Sequence, residues 1–458
     1  MSNWVETELG ACQLHDARHT KRLAQWLARL SEKPVHSIPS ACHGWAETVA
    51  AYRFLDNPAI GEQEILSGHK HATLDRIRAQ EVVLLVQDTT FLNYGTTQQK
   101  PGMGTVKVKS REESLLHPTV AFPPARVNLG VLGAKWWQRP EQPVGQERKR
   151  KPLEEKESAR WLEGYQLACE VQQSCPKTLV VNVADREGDI HEWFLEAMRR
   201  LPGERAEFII RAKCHRRLAK ETAPRYLGED MQQARAAGRL TVDLTRQPGR
   251  PPRSATLSVA VKRVPFIGAR RPGGRLPPVE VVAIYTKECR PPSGEEPIEW
   301  LLLTSLPVAD FPSACTVGQW YQCRWEIELF FRVLKQGCQI EPLRLQTEQR
   351  LLNAIALYLI VAWRIHSITM VGRAYPDVPG EVVFEPREWH TIYTMQHHRA
   401  PPQAPPALRE MVRGLAQLGG FLARTGDGEP GIQAIWQGYQ RLHEFIYALE
   451  THRNVTAL

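Results

Sequence analysis

The chain has 458 residues, enough to bury a sizeable core and to divide into about two or three domains. Its 59 Lys and Arg against 50 Asp and Glu leave a net charge of +9, an excess that fits a polyanionic partner. Nine cysteines are scattered without a Cys-x-x-Cys pair or a paired histidine spacing, which argues against a zinc site and predicts reduced thiols in a cytoplasmic protein.

The opening residues, Met1 to Leu9, carry acids where a secretory leader needs cations followed by an apolar core, so no export is expected. Residues 1 to about 70 read as short-looped helices, with Leu23, Trp26, Leu27 and Leu30 forming one apolar stripe behind the charged run His15 to Arg22. From about 80 the pattern becomes strand, strand, strand, helix, strand. Leu84 to Asp88, Leu115 to Phe122 and Val127 to Trp137 predict an antiparallel meander, and Glu157 to Cys175 an amphipathic helix before the strand that ends at Asp185.

Two of these strands share a design. Glu81 to Asp88 and Thr178 to Asp185 are β-branched apolar runs ending in a carboxylate, at the strand end where open α/β sheets place their sites. One such Asp is ordinarily a turn or cap residue; two form a pattern. A Gly- and Lys-containing loop lies between Asn93 and Arg111, and the basic run Gln146 to Lys151 reads as a solvated linker.

Farther on, a helix from Trp193 to Arg200 leads into a strand from Glu207 that presents Arg211 and Lys213 at its end. Residues 214 to about 298 are rich in Arg, Pro and Gly. Their alternating runs Ala255 to Lys262 and Val279 to Tyr285 predict strands of an inserted β-subdomain, after which Trp300 to Ser305 returns to the core.

Tyr321 to Lys335 holds no Pro or Gly and predicts one continuous α-helix of about four turns. At roughly 100° per residue, Tyr321, Arg324, Glu328 and Lys335 share a sector of about 60°, with Arg332 beside them, so one carboxylate sits in a row of cations. Alone, that is also the polar face of any amphipathic helix. Taken with Asp88 and Asp185, Glu328 completes a three-carboxylate set suited to two divalent ions. Beyond 340 the chain reads as helical to about 372, with two further helices at Ala407 to Leu418 and Ile432 to Leu449. The apolar run Ala354 to Trp363 is about half the roughly 20 residues of a membrane span and reads as a buried core helix.

The run Tyr321-x-x-Arg324-x-x-x-Glu328 with Lys335 seven residues on resembles the signature of the DDE transposases of bacterial insertion sequences, in the branch called insertion sequence four. Asp88 in Gln-Asp-Thr-Thr and Asp185 in Asp-Arg-Glu-Gly-Asp-Ile match that family's first and second acids. Trp136-Trp137-Gln-Arg-Pro, Glu155-Lys-Glu-Ser158, Trp300-Leu-Leu-Leu-Thr-Ser and Gly419-Gly-Phe-Leu have counterparts in the same order in the composite-transposon transposase. The loop after Asn93 departs from the family's wording.

The resemblance implies an α/β, ribonuclease H-like catalytic core at 71–372 with an inserted β-subdomain at 214–298. A helical DNA-end-binding domain at 1–70 and a helical dimerisation domain at 373–458 would flank it. It implies that Asp88, Asp185 and Glu328 are catalytic and bind two Mg²⁺ or Mn²⁺ per site. Tyr321, Arg324 and Lys335 would grip phosphates, Trp300 would stack on a flipped base, Arg211 and Lys213 would face donor DNA, and Arg18 and Arg22 would contact the transposon end. The implied activity is cut-and-paste transposition: a homodimer on double-stranded DNA cleaves inverted-repeat ends, passes through a hairpin and joins 3′-hydroxyls to target DNA. No membrane is implied, and a nucleoid-associated, cytoplasmic protein is expected. The residues also admit a ribonuclease H-like nuclease without strand transfer, or a non-catalytic DNA-binding remnant.

Overall fold

A computed structural model describes residues 3–94, 114–138, 153–244, 252–271 and 273–456. Most of the loop from Asn93 to Arg111, and all of the basic run from Gln146 to Lys151, lie outside the described residues. The chain forms two compact units, one of Met1–Ile77, Thr89–Glu141 and Trp325–Leu458, the other of Arg78–Asp88 and Gln142–Arg324. In chain order the strands are β1 (Val82–Gln87), β2 (Thr90–Leu92), β3 (Ser114–Phe122), β4 (Gly130–Gln138), β5 (Leu179–Ala184), β6 (Glu207–Arg211), β7 (Ala236–Leu244), β8 (Arg253–Phe266), β9 (Arg270–Arg271), β10 (Gly274–Arg275), β11 (Val279–Glu288) and β12 (Glu299–Thr304).

The Arg78–Arg324 unit is built on strands in the order β1-β5-β6-β12-β11-β8-β7. The first three pair in parallel and the rest antiparallel. β1 and β5 are buried nearly throughout, which is why they read as unbroken apolar runs instead of alternating ones. The helix Ala159–Ser174 lies close over them because Gly164 has no side chain: a Cβ there would meet Gln87 Oε1 at 2.2 Å. That same Gln87 donates to Asn182 Oδ1 at 2.6 Å, and Asn182 donates to Leu85 O at 2.7 Å, so a buried amide pair ties β1 to β5. The strands of the 214–298 segment do not stack as a sheet of their own, the short β9–β10 pair apart. β11, β8 and β7 continue the same sheet through β12, each hydrogen-bonded to the next.

In the other unit β3 and β4 of the predicted meander pair antiparallel as expected, but the strand on the other side of β3 within this unit is β2, too short to signal itself, while the predicted first strand, β1, belongs to the Arg78–Arg324 unit. The helix Glu348–Ala374, capped by the Thr347 side chain, is long and apolar enough to cross a membrane, but 89% of its apolar stretch is buried inside the protein. The expected core helix is therefore present and longer than its most apolar stretch. Around its end pack Pro386–His397, a helix the proline-rich composition nearby concealed, then Leu408–Leu418 and Ile432–Thr456. Ile368, Trp389, Leu415, Ile435 and Leu442 belong to their shared core. Gly438 lets the last two helices touch, since a Cβ would sit 1.9 Å from Leu415 O.

The N-terminal helices bury Leu23, Trp26, Leu27 and Leu30, as the stripe predicted. They are fastened by a buried ionic cluster. Arg76 makes a two-pronged pair with Glu8, both contacts 2.9 Å, and lies 4.5 Å over the Trp363 ring. His69 Nε2 accepts the Val131 N–H at 2.8 Å, so its proton sits on Nδ1, which donates to Glu8 Oε1 at 2.5 Å. Burial holds the His69 imidazole down and neutral. Burial alone would raise the Glu8 carboxyl, but its hydrogen bonds from His69 and Arg76 and the Arg76 charge hold it below its usual value. Since the imidazole is neutral, Arg76 supplies the opposing charge.

Candidate active site

The parallel register of β1 and β5 ends with Val86 beside Val183, and Asp88 and Asp185 each follow two residues beyond those partners, just past neighbouring strand ends. Neighbouring paired strands lie roughly 4.8 Å apart, so the two aspartates follow adjacent strand ends. Asp185 caps the short turn Arg186–Gly188 by accepting the Glu187 N–H at 2.8 Å. Asp88 receives Arg324 Nη1 at 3.0 Å, an ion pair whose side chains are 17% and 13% exposed. Around this pair stand polar atoms that the protein leaves without partners. Tyr321 Oη and Arg211 Nε are both buried with no hydrogen bond among the described residues. Burial pushes the Tyr321 phenol up, and Asp185 adds to the push while Arg324 and Arg211 oppose it. The Trp300 ring meets Tyr321 edge-on, 6.4 Å between centroids at 63°.

The run from Tyr321 to Lys335 is not one helix. Tyr321 belongs to the end of Phe311–Gln322, a helix started by an Asp310–Ser313 capping box. There Cys323 N–H bonds Trp320 O at 3.0 Å, a three-residue reach that tightens the last turn and ends it. A new helix, Arg324–Arg332, carries exposed Glu328, and Lys335 sits in a π-helical turn, Val333–Gly337, where Cys338 N–H reaches Val333 O at 2.8 Å. Of that row only Arg324, Glu328 and Arg332 keep the helical relation that the spacing predicted. The chain passes from one unit to the other between Arg324 and Trp325, so Glu328 and Lys335 are assigned to a different unit from Asp88 and Asp185. Lys335 Nζ donates to Phe91 O within its own unit.

Family comparison agrees along the chain. Residues 1–60 match a model described as transposase DNA-binding, 177–364 one described as transposase DDE domain, and 360–456 one described as Transposase Tn5 dimerisation domain. The chain is a DDE-type transposase. Asp185 and Glu328 fall within the matched DDE segment, whereas Asp88 precedes it, just past the end of the strand that pairs with β5.

In the transposase, Arg18 projects from the helix Ala17–Glu32 with 90% of its side chain exposed and pairs with the cap residue Asp16 at 2.9 Å. Arg22 lies on the same helix, half-buried. Lys213 is held at backbone and side chain alike: its N–H reaches Asp189 Oδ2 at 2.7 Å and its Nζ reaches Asp189 O at 3.2 Å. Asp189 was hidden from sequence reasoning, although its spacing four residues beyond Asp185 was visible.

Dependence on a divalent metal goes with the DDE domain. The donor chemistry of the strand ends fits such an ion: two adjacent carboxylates offer hard oxygens with no Cys or His among them. Among the described residues no three Asp, Glu, His or Cys side chains converge as a ready-made cation site.

Proposed function

We propose that the transposase works by cut and paste: it binds inverted-repeat transposon ends as a homodimer, cleaves them, passes through a DNA hairpin and joins the 3′-hydroxyl ends to target DNA. The observation that carries this reading is the pair Asp88 and Asp185 at adjacent strand ends, with Arg324 on one of them and buried, unpartnered Tyr321 Oη and Arg211 Nε nearby. Unpaired buried donors cost free energy unless a ligand completes them, and a DNA phosphate supplies the acceptors.

In this reading Asp88, Asp185 and Glu328 hold two Mg²⁺ or Mn²⁺, whose chemistry is to activate the attacking hydroxyl and neutralise the phosphate. Arg324 exchanges Asp88 for a phosphate oxygen when DNA enters, and its planar fork suits that exchange better than an ammonium would. Tyr321 donates its hydroxyl to the same backbone, while Arg211, Lys213 and Lys335 add charge along it. Trp300, already set against an aromatic neighbour, offers its ring to an unstacked base. Arg18 and Arg22 take phosphates of the transposon end. No covalent protein intermediate is required, because the freed DNA hydroxyl is the next nucleophile. The proposed organisation is an end-binding domain at 1–70, a ribonuclease H-like core at 71–372 with its insertion at 214–298, and a dimerisation domain at 373–458, in the insertion sequence four branch and in the cytoplasm.

The test is cleavage of a labelled duplex carrying the inverted repeat that flanks the coding region. The native chain should give Mg²⁺-dependent nicks and hairpins, and Glu328→Gln should lose both while still binding the duplex. Retained cleavage in Glu328→Gln removes it from the site. Nicking by the native chain without transfer of pre-cleaved ends would leave a nuclease.

A further inference from the structure

We propose that Asp189 is a positioning residue for strand cleavage, locking the turn that carries Asp185 to the loop that carries Arg211 and Lys213. The inference rests on the reading of Asp185 as a metal ligand. The Asp189 side chain is completely buried, so it touches neither an ion nor DNA. Its Oδ2 accepts the Lys213 N–H at 2.7 Å and its Oδ1 pairs with Arg216. Its carbonyl oxygen accepts from Lys213 Nζ and Arg216 Nη2, each at 3.2 Å. Arg216 is itself aimed, lying 5.0 Å over the Phe194 ring and 4.7 Å over Phe266.

At the other end of the same turn stands Asp185. The two aspartates bracket Arg186–Gly188: Asp185 accepts from the Glu187 N–H, and the Asp189 N–H returns to Arg186 O at 3.3 Å. The ladder between β5 and β6 reaches only to Ala184 beside Ile210. Past that point Asp189 continues the tie, joining the stretch after one strand to the stretch after the other. A buried ion pair is a poor choice if adhesion is all that is needed, because apolar residues of the same volume hold as well or better. What the charged fork adds is direction, fixing where Asp185 points relative to Arg211 and Lys213. Misplacing a reacting group by about 1 Å costs on the order of 10²-fold in rate.

The experiment titrates Mg²⁺ in the nicking assay on the inverted-repeat duplex, using full-length native, Asp189→Asn and Arg216→Lys proteins. Duplex binding in EDTA and thermal melting are followed alongside. Asp189→Asn should melt cooperatively and bind the duplex as the native chain does. Its half-maximal Mg²⁺ should rise about tenfold and its saturated rate fall by up to about 10²-fold. Arg216→Lys, which keeps the charge and loses the fork, should shift the same way by less. A native Mg²⁺ curve in a folded Asp189→Asn protein overturns the proposal, as does a loss confined to duplex binding. Should Asp189→Asn fail to fold, Arg216→Lys decides, and a native curve there is equally fatal. A native chain inert in both Mg²⁺ and Mn²⁺ would instead bring down the metal-ligand reading of Asp185, and the positioning role with it.

Discussion

Two clusters of charge in this transposase use the same residue types to opposite ends. Glu8 and His69 are buried and Arg76 is half-buried, with their polar atoms paired inside the protein, down to the imidazole nitrogen that accepts a backbone N–H. Asp88, Asp185, Arg324, Arg211 and Tyr321 form the other cluster, where Arg211 Nε and Tyr321 Oη are sealed from water and left unmatched. The first arrangement is finished without a ligand and the second is not. Charge alone therefore does not mark a site, since the first cluster is as charged as the second and is internally paired.

The sharpest way to break that contrast is to remove one carboxylate from each cluster. Asp185→Asn should lower strand nicking by about 10³-fold or more, several kcal/mol of lost phosphate and hydroxyl stabilisation, while moving stability by less than about 0.5 kcal/mol. Glu8→Gln should do the reverse, costing about 1–2 kcal/mol in denaturant unfolding because the half-buried Arg76 and buried His69 lose their carboxylate partner, with nicking per folded molecule kept. If the two variants lose stability equally, the contrast fails.

Acid titration sharpens the comparison at a second level. Burial holds His69 and His366 below their usual value, His366 at about 3 against 6.5, with Arg373 adding to the effect. Groups with depressed pKa values contribute stability that is whole above the unfolded value and is lost as pH falls toward the folded one. Stability should therefore decline from pH 6.5 downward, by at most about 1.4 kcal/mol per pH unit for each proton taken up. The Glu8 carboxyl, held below its usual value by its partners, joins below 4.5. Unfolding midpoints of His366→Gln between pH 6.5 and 4.5 should show a flatter slope than those of the native chain, and an identical slope would deny that His366 is held neutral.

The smallest effect is expected from Tyr321→Phe. Deleting an unpartnered buried hydroxyl should leave the free protein unchanged or more stable by about 1 kcal/mol, yet weaken assembly with cleaved ends severalfold. A loss of stability in the free protein would mean that the hydroxyl has a partner at home.

Much of this protein was legible in its residues. The apolar runs before Asp88 and Asp185 read as strands, the Leu23 to Leu30 stripe as a buried helix face, and the apolar run from Ala354 as core, because side-chain periodicity and β-branching act over a few residues. The resemblance to DDE transposases was legible for the same reason, since it rested on short local patterns, and the matched DDE domain agrees with it. The spacing from Tyr321 to Lys335 did not disclose that the helix ends at Cys323 and resumes, since three-residue and four-residue closure differ little in local propensity. Tertiary structure alone decided that β1 and β5 pair in the register that aligns Asp88 with Asp185, that β7, β8 and β11 extend one sheet, and that Asp189 reaches Lys213 and Arg216. Each of those depends on which distant backbone or charge becomes the partner, and that choice is made by burial and hydrogen-bond satisfaction across the whole unit, not by the residues beside it in the chain.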